Sequence, residues 1–425
     1  MRALKDSKIE WIGLMPEEWD VGQIGHLYNE RKEKVSDYDY EPLSVTMKGI
    51  VPQLSTAAKT DAHDDRKLVC MGDFAINSRS DRRGSCGISA FEGSVSLINT
   101  VLTPRNEMDP CFFDWLFHTT MFADEYYKWG HGIVDDLWTT NWSDMKKISV
   151  PIPTIEEQGL IASYLNQQCE HIDRVIENTR LSIEEYKLFR KSVITKAVRE
   201  GVRGKRRTKD SGIEWIGEIP EEWELLKKLS YAVTEGISYG IVKLFDPDDE
   251  NGIRVIRCSD VREGVIVPEN IRTVTKKVSD EYKRTLLRGG EVLVNVRGTL
   301  GGCAVVPEEM KGYNIAREVA KIALDSSMNS KYVMYYLLSS CFEDYRTRFL
   351  SGSVYVGLNI EMLSSCTVIM PSFEEQQEIV EYLDKRTNEI DSLIAKKEQF
   401  LMELENYKKS LIYEYVTGKK EVPHS

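Results

Sequence analysis

The amino-acid sequence predicts an α+β protein built as a pseudo-twofold tandem duplication. Two α/β domains with mainly antiparallel sheets are expected to be separated by two long antiparallel coiled-coil helices. Three features lead to this fold class: a long stretch with helical periodicity, a short tryptophan-rich segment, and a pair of strand-like runs joined by a glycine-containing loop. Each feature occurs in both halves of the 425-residue chain, and in the same order.

The long helical segment begins at Pro153 and again at Pro371, and the two copies align without a gap at an offset of 218 residues. Thr154 and Ser372 stand at N-cap positions, each with a glutamate three residues later, which is the capping-box pattern. No later proline interrupts either copy. We therefore expect two uninterrupted helices of roughly 65 Å, at 1.5 Å per residue.

Apolar residues in both helices recur at alternating steps of three and four, which is typical of a coiled coil. They are Ile161, Leu165, Ile172, Val175, Ile183, Tyr186 and Val193 in the first copy, and Ile379, Leu383, Ile390, Leu393, Leu404, Tyr407 and Leu411 in the second. Two such stripes are both buried if they face each other in an antiparallel pair. The alternative is that each helix packs only on its neighbouring domain.

The tryptophan-rich segment runs from Lys5 to Val21 and returns from Lys209 to Leu225. Two tryptophans around a proline turn predict a compact segment that docks onto another part of the chain or onto a partner. Packing is the simpler use of such regularly placed indoles.

The strand-like runs begin at Gly72 and Gly290, and each is followed by a glycine-containing loop and a second apolar run, a pattern that predicts a hairpin. Helical patterns follow in both halves. The predicted divisions are 1–22 (docking segment), 23–152 (first globular domain), 153–200 (first long helix), 201–225 (linker and repeated docking segment), 226–370 (second globular domain), 371–418 (second long helix) and 419–425 (tail). The basic linker between Arg203 and Lys209 is interpreted as solvated, with phosphate binding as the alternative.

Composition excludes several classes of protein. The net charge of −12 argues against a surface that is basic throughout, although a local basic face remains compatible with it. No apolar run is long enough to span a bilayer, and the eight cysteines include no C-x-x-C pair. The six histidines show no ligand spacing. We expect a cytoplasmic protein without a membrane partner or a metal site.

The sequence predicts no catalytic residue. It contains neither a P-loop nor a G-x-G-x-x-G motif after a strand. Pro247-Asp248 with Glu281 and Lys283 superficially resembles a nuclease motif, but the other half has no counterpart. A fused nuclease or methyltransferase therefore stands as an alternative without a supporting site.

Basic and aromatic side chains cluster in both globular domains and are our candidates for DNA binding. Arginine reads guanine bidentately and asparagine reads adenine, while further basic residues hold phosphates. The alternative for any single arginine is a phosphate contact or a surface salt bridge. The candidates are Lys48, Arg79, Arg82, Arg83, Trp138 and Asn141 in the first domain, and Tyr239, Lys243, Arg254, Arg257, Arg297 and Tyr355 in the second.

Repeated segments reading "IEWIGxxPEEW", each followed by a variable domain that ends in "PxxEEQxxIxxYL", resemble the specificity (S) subunit of type I restriction–modification enzymes. The resemblance covers nearly the whole chain and is strongest at Ile9–Trp19, Ile213–Trp223, Pro153–Leu165 and Pro371–Leu383. The second domain also resembles the family in "GSVYVGLN". The first departs from it, with "GHGIVDDLW" in the corresponding loop.

This resemblance implies that the globular domains are target recognition domains, each reading one half of a bipartite site in double-stranded DNA. It also implies docking of two modification (methyltransferase) subunits, which restriction/translocase subunits then join. S-adenosylmethionine, ATP and Mg²⁺ are expected on those partners, with no cofactor in this chain. The predicted docking residues are Trp11, Trp19, Glu156, Glu157, Gln158, Trp215, Trp223, Glu374, Glu375 and Gln376.

Two further functions remain open at this point. One is a coiled-coil adaptor without DNA reading, which would explain the helices but not two divergent arginine-rich domains. The other is a specificity subunit of a related methyltransferase-only or type IIB-like system.

If the long helices set the gap between half-sites, one heptad inserted after both Ile176 and Ile394 should lengthen the pair by about 10 Å. At about 3.4 Å per base pair, the gap in methylated sites should grow by up to about three pairs. A heptad in only one helix should unpair the apolar stripes and cause a larger loss of activity. Sequencing methylated adenines measures the gap. An unchanged gap between intact half-sites contradicts the prediction.

Overall fold

The computed structural model describes residues 2–54, 63–79, 82–105, 108–132, 138–242, 252–269, 271–298, 300–350 and 357–423. They form two compact units: unit 1 comprises Met1–Arg180 with Gln399–Ser425, and unit 2 comprises Leu181–Glu398. Four positions singled out in the sequence, Lys243, Pro247, Asp248 and Tyr355, lie outside the described residues.

Unit 1 holds the first globular domain. Its strands are β1 (Leu4–Asp6), β2 (Leu14–Pro16), β3 (Asp20–Gln23), β4 (Tyr28–Glu30), β5 (Lys34–Val35), β6 (Leu43–Thr46), β7 (Gly49–Pro52), β8 (Arg66–Val69), β9 (Phe74–Asn77), β10 (Cys86–Ile88), β11 (Gly93–Ser96), β12 (Asn99–Pro104) and β13 (Ser149–Ile152). Its short helices are α1 (Ile24–Leu27), α2 (Pro110–Phe117), α3 (Thr120–Lys128) and α4 (Trp142–Met145). The first long helix, α5, follows at Ile155–Glu200 and continues into unit 2.

The central sheet of unit 1 has the strand order β10-β9-β12-β4, and all of its pairs are antiparallel. The hairpin predicted after Gly72 is confirmed as β9–β10, with Ala75 opposite Gly87. Helix α2 lies against β10, where its phenylalanines join the core around Phe74. A second sheet, β11-β8-β5, and the hairpin β6–β7 complete the domain.

Unit 2 holds the second globular domain. Its strands are β14 (Thr208–Asp210), β15 (Glu218–Pro220), β16 (Glu224–Leu226), β17 (Ser238–Tyr239), β18 (Ile253–Ile256), β19 (Arg272–Val274), β20 (Val292–Asn295), β21 (Cys303–Val305), β22 (Asn314–Ile315), β23 (Val319–Ile322) and β24 (Val368–Met370). Its short helices are α6 (Lys276–Glu281), α7 (Ser330–Leu338), α8 (Ser340–Leu350) and α9 (Ile360–Ser365), with 3₁₀ turns at Leu229–Ala232, Lys283–Thr285 and Glu308–Met310. The second long helix is α10 (Phe373–Val416).

The central sheet of unit 2, β21-β20-β23-β17, repeats the order of the central sheet of unit 1. The hairpin predicted after Gly290 is confirmed as β20–β21. One pair, β18–β22, is parallel, while the other named strand pairs are antiparallel. The predicted fold class, two α/β domains with mainly antiparallel sheets and two long helices, is confirmed.

Both long helices begin where the sequence predicts. The Thr154 hydroxyl accepts a hydrogen bond from the Glu157 amide at 3.3 Å, and the Ser372 hydroxyl accepts one from the Glu375 amide at the same distance. Each helix directly follows a strand, β13 or β24, that pairs with the strand leaving the docking segment, β3 or β16. The start of each helix is therefore fixed to the edge of its own domain.

Contacts within each unit show that the long helices run antiparallel. In unit 1, Asp173 pairs with Lys408 at 2.6 Å and Arg180 with Glu405 at 2.9 Å. In unit 2, Arg190 pairs with Asp391 at 2.8 Å. Residues with equal positions in the repeat therefore do not face each other, and the insertion sites after Ile176 and Ile394 are not opposite. Matched insertions belong after Arg180 and before Glu405.

The predicted apolar stripe is buried at many positions but not along its whole length. Ile161, Leu165 and Ile172 are buried in unit 1 together with Leu411, and Ile183, Ile379, Leu383 and Ile390 are buried in unit 2. The prediction is wrong at Leu393 and Tyr407, whose exposed fractions are 43% and 55%. Burial is concentrated where each helix end also packs on its domain.

Candidate nucleic-acid interface and docking segments

The first candidate surface lies at the β9–β10 loop of unit 1. Asn77, the last residue of β9, is buried, and its side-chain oxygen accepts the Arg79 amide at 3.0 Å. This bond turns the chain out of the sheet, so Arg79 is exposed and forms an isolated bridge with Thr139. A buried asparagine thus places an arginine at the rim of the sheet.

Arg83, on the same loop, is held by two residues of α3. Its guanidinium lies 4.2 Å from the centre of the Tyr127 ring and 3.2 Å from the Asp124 carboxylate. The indole of Trp138 donates to the Tyr127 carbonyl at 2.9 Å, and its ring lies 5.7 Å from the Tyr127 ring. Arg79, Arg83 and Trp138 line one cleft together with Tyr127.

The other three candidates in unit 1 are Arg82, Asn141 and Lys48. Arg82 lines a second cleft together with Arg79. Asn141 is exposed at the start of α4, and Lys48 is exposed at the tip of the β6–β7 hairpin. Neither Asn141 nor Lys48 lines these two clefts.

The second candidate surface lies at the β20–β21 loop of unit 2. Arg297, at the position equivalent to Arg79, is exposed, and its guanidinium lies 5.8 Å from the centre of the Tyr239 ring. The Tyr239 hydroxyl donates to the Leu358 carbonyl at 3.4 Å. Two predicted residues from separate parts of the sequence, Arg297 and Tyr239, therefore meet at one place.

The remaining two candidate arginines of unit 2 differ in their surroundings. Arg254 is exposed and donates to the Tyr313 hydroxyl at 2.5 Å. Arg257 is half-buried, pairs with the buried Asp260 and donates to the Glu269 carbonyl at 3.1 Å. Arg257 therefore holds its own loop, which is a structural role. Its DNA contact stays a prediction, as do those of the other candidates.

Sequence reasoning missed Tyr127 and Asp124, which hold Arg83. Both lie within a helical pattern, where an aromatic residue is expected to face the core and an acidic residue the solvent. The only available signal was their helical spacing of three residues, which places both side chains on one face.

Among the described residues of both units, no group of three or more His, Cys, Asp or Glu side chains is arranged to hold a metal ion. Cys86 and Cys303 are buried at equivalent strand positions, and burial raises the pKa of both thiols. Among the described helices, none combines the length and apolarity needed to cross a membrane.

The predicted docking residues form the same contact in both units. The buried Trp19 donates from its indole nitrogen to the Glu157 carboxylate at 2.7 Å, and the buried Trp223 donates to Glu375 at 2.8 Å. The repeated tryptophan segment is thereby fixed to the first turn of the long helix in its own unit.

An arginine that the sequence analysis missed completes this contact in each unit. Arg2 pairs with Glu157 and lies 5.3 Å from the centre of the Trp19 ring. Arg206 pairs with Glu375 and lies 5.0 Å from the centre of the Trp223 ring. The hydrogen bond to Glu157 is the main cause of the raised pKa of Arg2. In the sequence, Arg2 precedes Lys5 by as many residues as Arg206 precedes Lys209. This correspondence extends the repeated segment and was a usable signal. We call these two sets, Arg2–Trp19–Glu157 and Arg206–Trp223–Glu375, the helix-start clamps.

The glutamine after each clamp glutamate ties the helix to the globular domain. Gln158 is buried and accepts the Asp109 amide at 2.8 Å, and the buried Gln376 accepts the Asn329 amide at the same distance. Asp109 and Asn329 are the N-caps of α2 and α7. Of the E-E-Q motif, only the first glutamate, Glu156 or Glu374, is exposed in each unit.

The basic linker, interpreted above as solvated, is bound to the second long helix. Arg203 pairs with Glu378 at 2.6 Å, and this hydrogen bond raises the pKa of Arg203. Arg206 belongs to the helix-start clamp of unit 2. The solvated interpretation is therefore wrong for these two arginines, because glutamates in the first turns of α10 neutralise them.

Comparison with known proteins shows which proteins this chain resembles. Residues 238–402 match a family model described as the type I restriction modification DNA specificity domain. The chain is 24% identical over 425 residues to the type I restriction enzyme MjaVIII specificity subunit of Methanocaldococcus jannaschii, covering 96% of this chain and 94% of that protein. The resemblance to the type I specificity subunits is confirmed. The matched segment includes strands β17 to β24 and most of α10.

A second curated protein and a solved structure show the same likeness. The EcoBI specificity subunit of Escherichia coli is 27% identical over 278 residues, which cover 64% of this chain and 58% of that protein. A solved structure from work on complex assembly and conformational transition of the type I R-M system has a TM-score of 0.71 at 14% identity, covering 96% of this chain and 99% of that one. This structural likeness shows a shared fold.

Replacing Trp19 by phenylalanine should destabilise unit 1 by about 1–3 kcal/mol more than replacing Trp11 by phenylalanine. Both indoles are buried and both substitutions remove the same atoms, but Trp19 donates to a carboxylate, whereas the indole nitrogen of Trp11 has no hydrogen-bond partner among the described residues. Urea unfolding followed by circular dichroism measures the difference. Equal loss in the two variants would show that the Trp19–Glu157 hydrogen bond contributes little.

Proposed function

We propose that this chain is the DNA sequence-specificity subunit of a type I restriction–modification complex. Each globular domain binds one half of a bipartite DNA target, and the repeated helices and docking segments carry the methyltransferase and restriction subunits. The proposal rests on one arrangement that is present in both units. In both units, the loop that leaves the central sheet presents an exposed arginine beside an aromatic ring, on a scaffold whose helix-start clamps are the same.

An arginine whose guanidinium is held against an aromatic side chain is well suited to recognising a DNA base. The guanidinium carries donors in a fixed fork that matches the two acceptors of guanine in the major groove. A flexible arginine would lose side-chain entropy on binding. Tyr127 with Asp124, and Tyr239 in unit 2, restrict their arginines before DNA arrives, which lowers this cost.

The different environments of the two arginines fit two different half-sites. Arg83 has a carboxylate partner that must be displaced or shared when DNA binds. Arg297 has an aromatic neighbour whose own hydroxyl is bonded to the backbone of Leu358. The shared scaffold would place both arginines at equivalent sheet exits while each loop reads its own bases.

Catalysis would belong to the partner subunits in this scheme, together with S-adenosylmethionine, ATP and Mg²⁺. The exposed first-turn carboxylates, Glu156 and Glu374, are the members of the E-E-Q motifs that would meet a partner surface, and Glu374 also lies 3.8 Å from the Arg203 guanidinium. The buried members, Trp19 and Trp223 among them, would support docking indirectly by fixing the helix starts.

Arg297→Ala should weaken binding to the cognate duplex by about 1–3 kcal/mol and relax preference at one base pair, if Arg297 reads a base. Arg288→Ala is the matched control, since Arg288 is an exposed arginine that precedes β20, whereas Arg297 follows it. Affinities are measured by duplex titration at several salt concentrations, because phosphate contacts alone would change the salt dependence. Equal effects of the two substitutions would remove Arg297 from the reading surface. A wild-type chain with no salt-dependent affinity for duplex DNA would favour the coiled-coil adaptor.

The purified chain alone should neither methylate nor cleave DNA. Adding the modification subunit and S-adenosylmethionine should produce adenine methylation at a bipartite site. Incorporation of labelled methyl groups and duplex cleavage are the two measurements. Activity that purifies with this chain alone would contradict the assignment of catalysis to the partners.

A further inference from the structure

The two units differ at one equivalent pair of helix positions. In unit 1, Tyr415 near the end of α10 packs on Tyr164 near the start of α5, with ring centres 4.7 Å apart and hydroxyl oxygens 3.3 Å apart. The corresponding residues of unit 2, at the same repeat offset, are Ala197 and Tyr382. Because Ala197 has no ring, the Tyr382 side chain lacks an equivalent cover, and 41% of Tyr382 is exposed.

A cleft of ≈ 910 Å³ lies at this position in unit 2. Its wall is apolar where Tyr382, Val193, Val202 and Pro220 line it, with the buried Ala197 among them. The space next to Tyr382 therefore offers an aromatic and aliphatic surface of the kind that Tyr415 covers in unit 1.

The rim of this cleft carries both signs of charge with an excess of basic side chains, since Lys196, Arg199, Lys205 and Arg206 line it together with Glu200 and Glu218. Lys196 and Lys205 both line it and are exposed, and neither makes an ion pair within the described part of the chain. Unit 1 differs here as well, since the position of Lys196 is taken by Glu414, which pairs with Lys420 at 2.6 Å. Two unpaired ammonium groups beside an apolar wall favour a ligand that combines a ring with negative charge.

We propose that this cleft binds an aromatic side chain flanked by carboxylates, presented by the modification subunit. The inference rests on the proposed function, because that function supplies the partner. A partner ring stacked on Tyr382 would take the place that Tyr415 occupies in unit 1, and its neighbouring carboxylates would meet Lys196 and Lys205. DNA phosphate would satisfy the two lysines but leave the apolar wall uncovered, so the observations favour a protein ligand. The cleft makes the two ends of the duplicated scaffold different as docking sites.

Ala197→Tyr tests the site by building the missing ring into the chain itself. The new side chain should fill the cleft as Tyr415 does in unit 1, so the chain should unfold at the same or a higher urea concentration. Binding of the modification subunit at this end should weaken about tenfold or more, as expected for the loss of an aromatic anchor. Analytical ultracentrifugation during titration with the purified modification subunit counts the bound copies, and one of the two should be lost first.

Lys196→Glu with Lys205→Glu tests the charge without changing the packing, and it serves even where Ala197→Tyr fails to fold. This double variant should also weaken modification-subunit binding about tenfold, since each replacement turns an attraction into a repulsion. The matched control is Lys385→Glu with Lys396→Glu, two exposed lysines on α10 that do not line the cleft. The control should bind as the wild-type chain does.

The inference is overturned if folded Ala197→Tyr and the Lys196/Lys205 variant both bind the modification subunit with wild-type affinity. It is also overturned if the lysine variant loses affinity for duplex DNA alone while partner binding is unchanged, because the cleft would then hold phosphate. In either case a wild-type chain that binds both DNA and the modification subunit leaves the proposed function intact. A wild-type chain that does not bind the modification subunit defeats the inference together with the proposed docking.

Discussion

The hydrogen bond from a buried indole to a glutamate in the first helical turn is the contact on which the rest of each unit depends. A carboxylate is favoured there by the positive end of the helix dipole. Trp19 or Trp223 then holds that carboxylate against the docking segment, and Arg2 or Arg206 balances its charge. Removing one partner would leave a largely buried charge without compensation, which is costly.

The helix-start clamp also determines what surrounds it. The next residue, Gln158 or Gln376, bonds the amide at the N-cap of α2 or α7, so one helical turn fixes both the docking segment and the globular domain. The central sheet, covered by α2 or α7, then carries the loop that holds Arg83 or Arg297. A short chain of contacts thus connects the first turn of a long helix to the candidate DNA surface in the same unit.

The duplication explains how much could be predicted from sequence. Comparing the halves works like aligning two related proteins, so the helices, their starts and the two hairpins were predictable. The supports of Arg83 were not, because Tyr127 and Asp124 approach from α3, and helical spacing alone does not show which loop a helix face meets. Periodicity also failed at Leu393 and Tyr407, since a heptad pattern does not show which residues face each position across an antiparallel pair. Where a charged pair such as Arg190 and Asp391 lies between the helices, fewer apolar residues are covered.

The division of the chain has a consequence for synthesis on the ribosome. Every core residue of unit 2 lies between Leu181 and Glu398, so this unit is complete as soon as a continuous stretch has emerged. Unit 1 is different, because Leu411, Ile412, Tyr415 and Val416 belong to the same core as Trp19 and Phe112. The amino-terminal domain, although made first, must wait with part of its apolar surface uncovered until the end of α10 is translated. The second domain therefore finishes folding before the first, the reverse of the usual order for nascent chains.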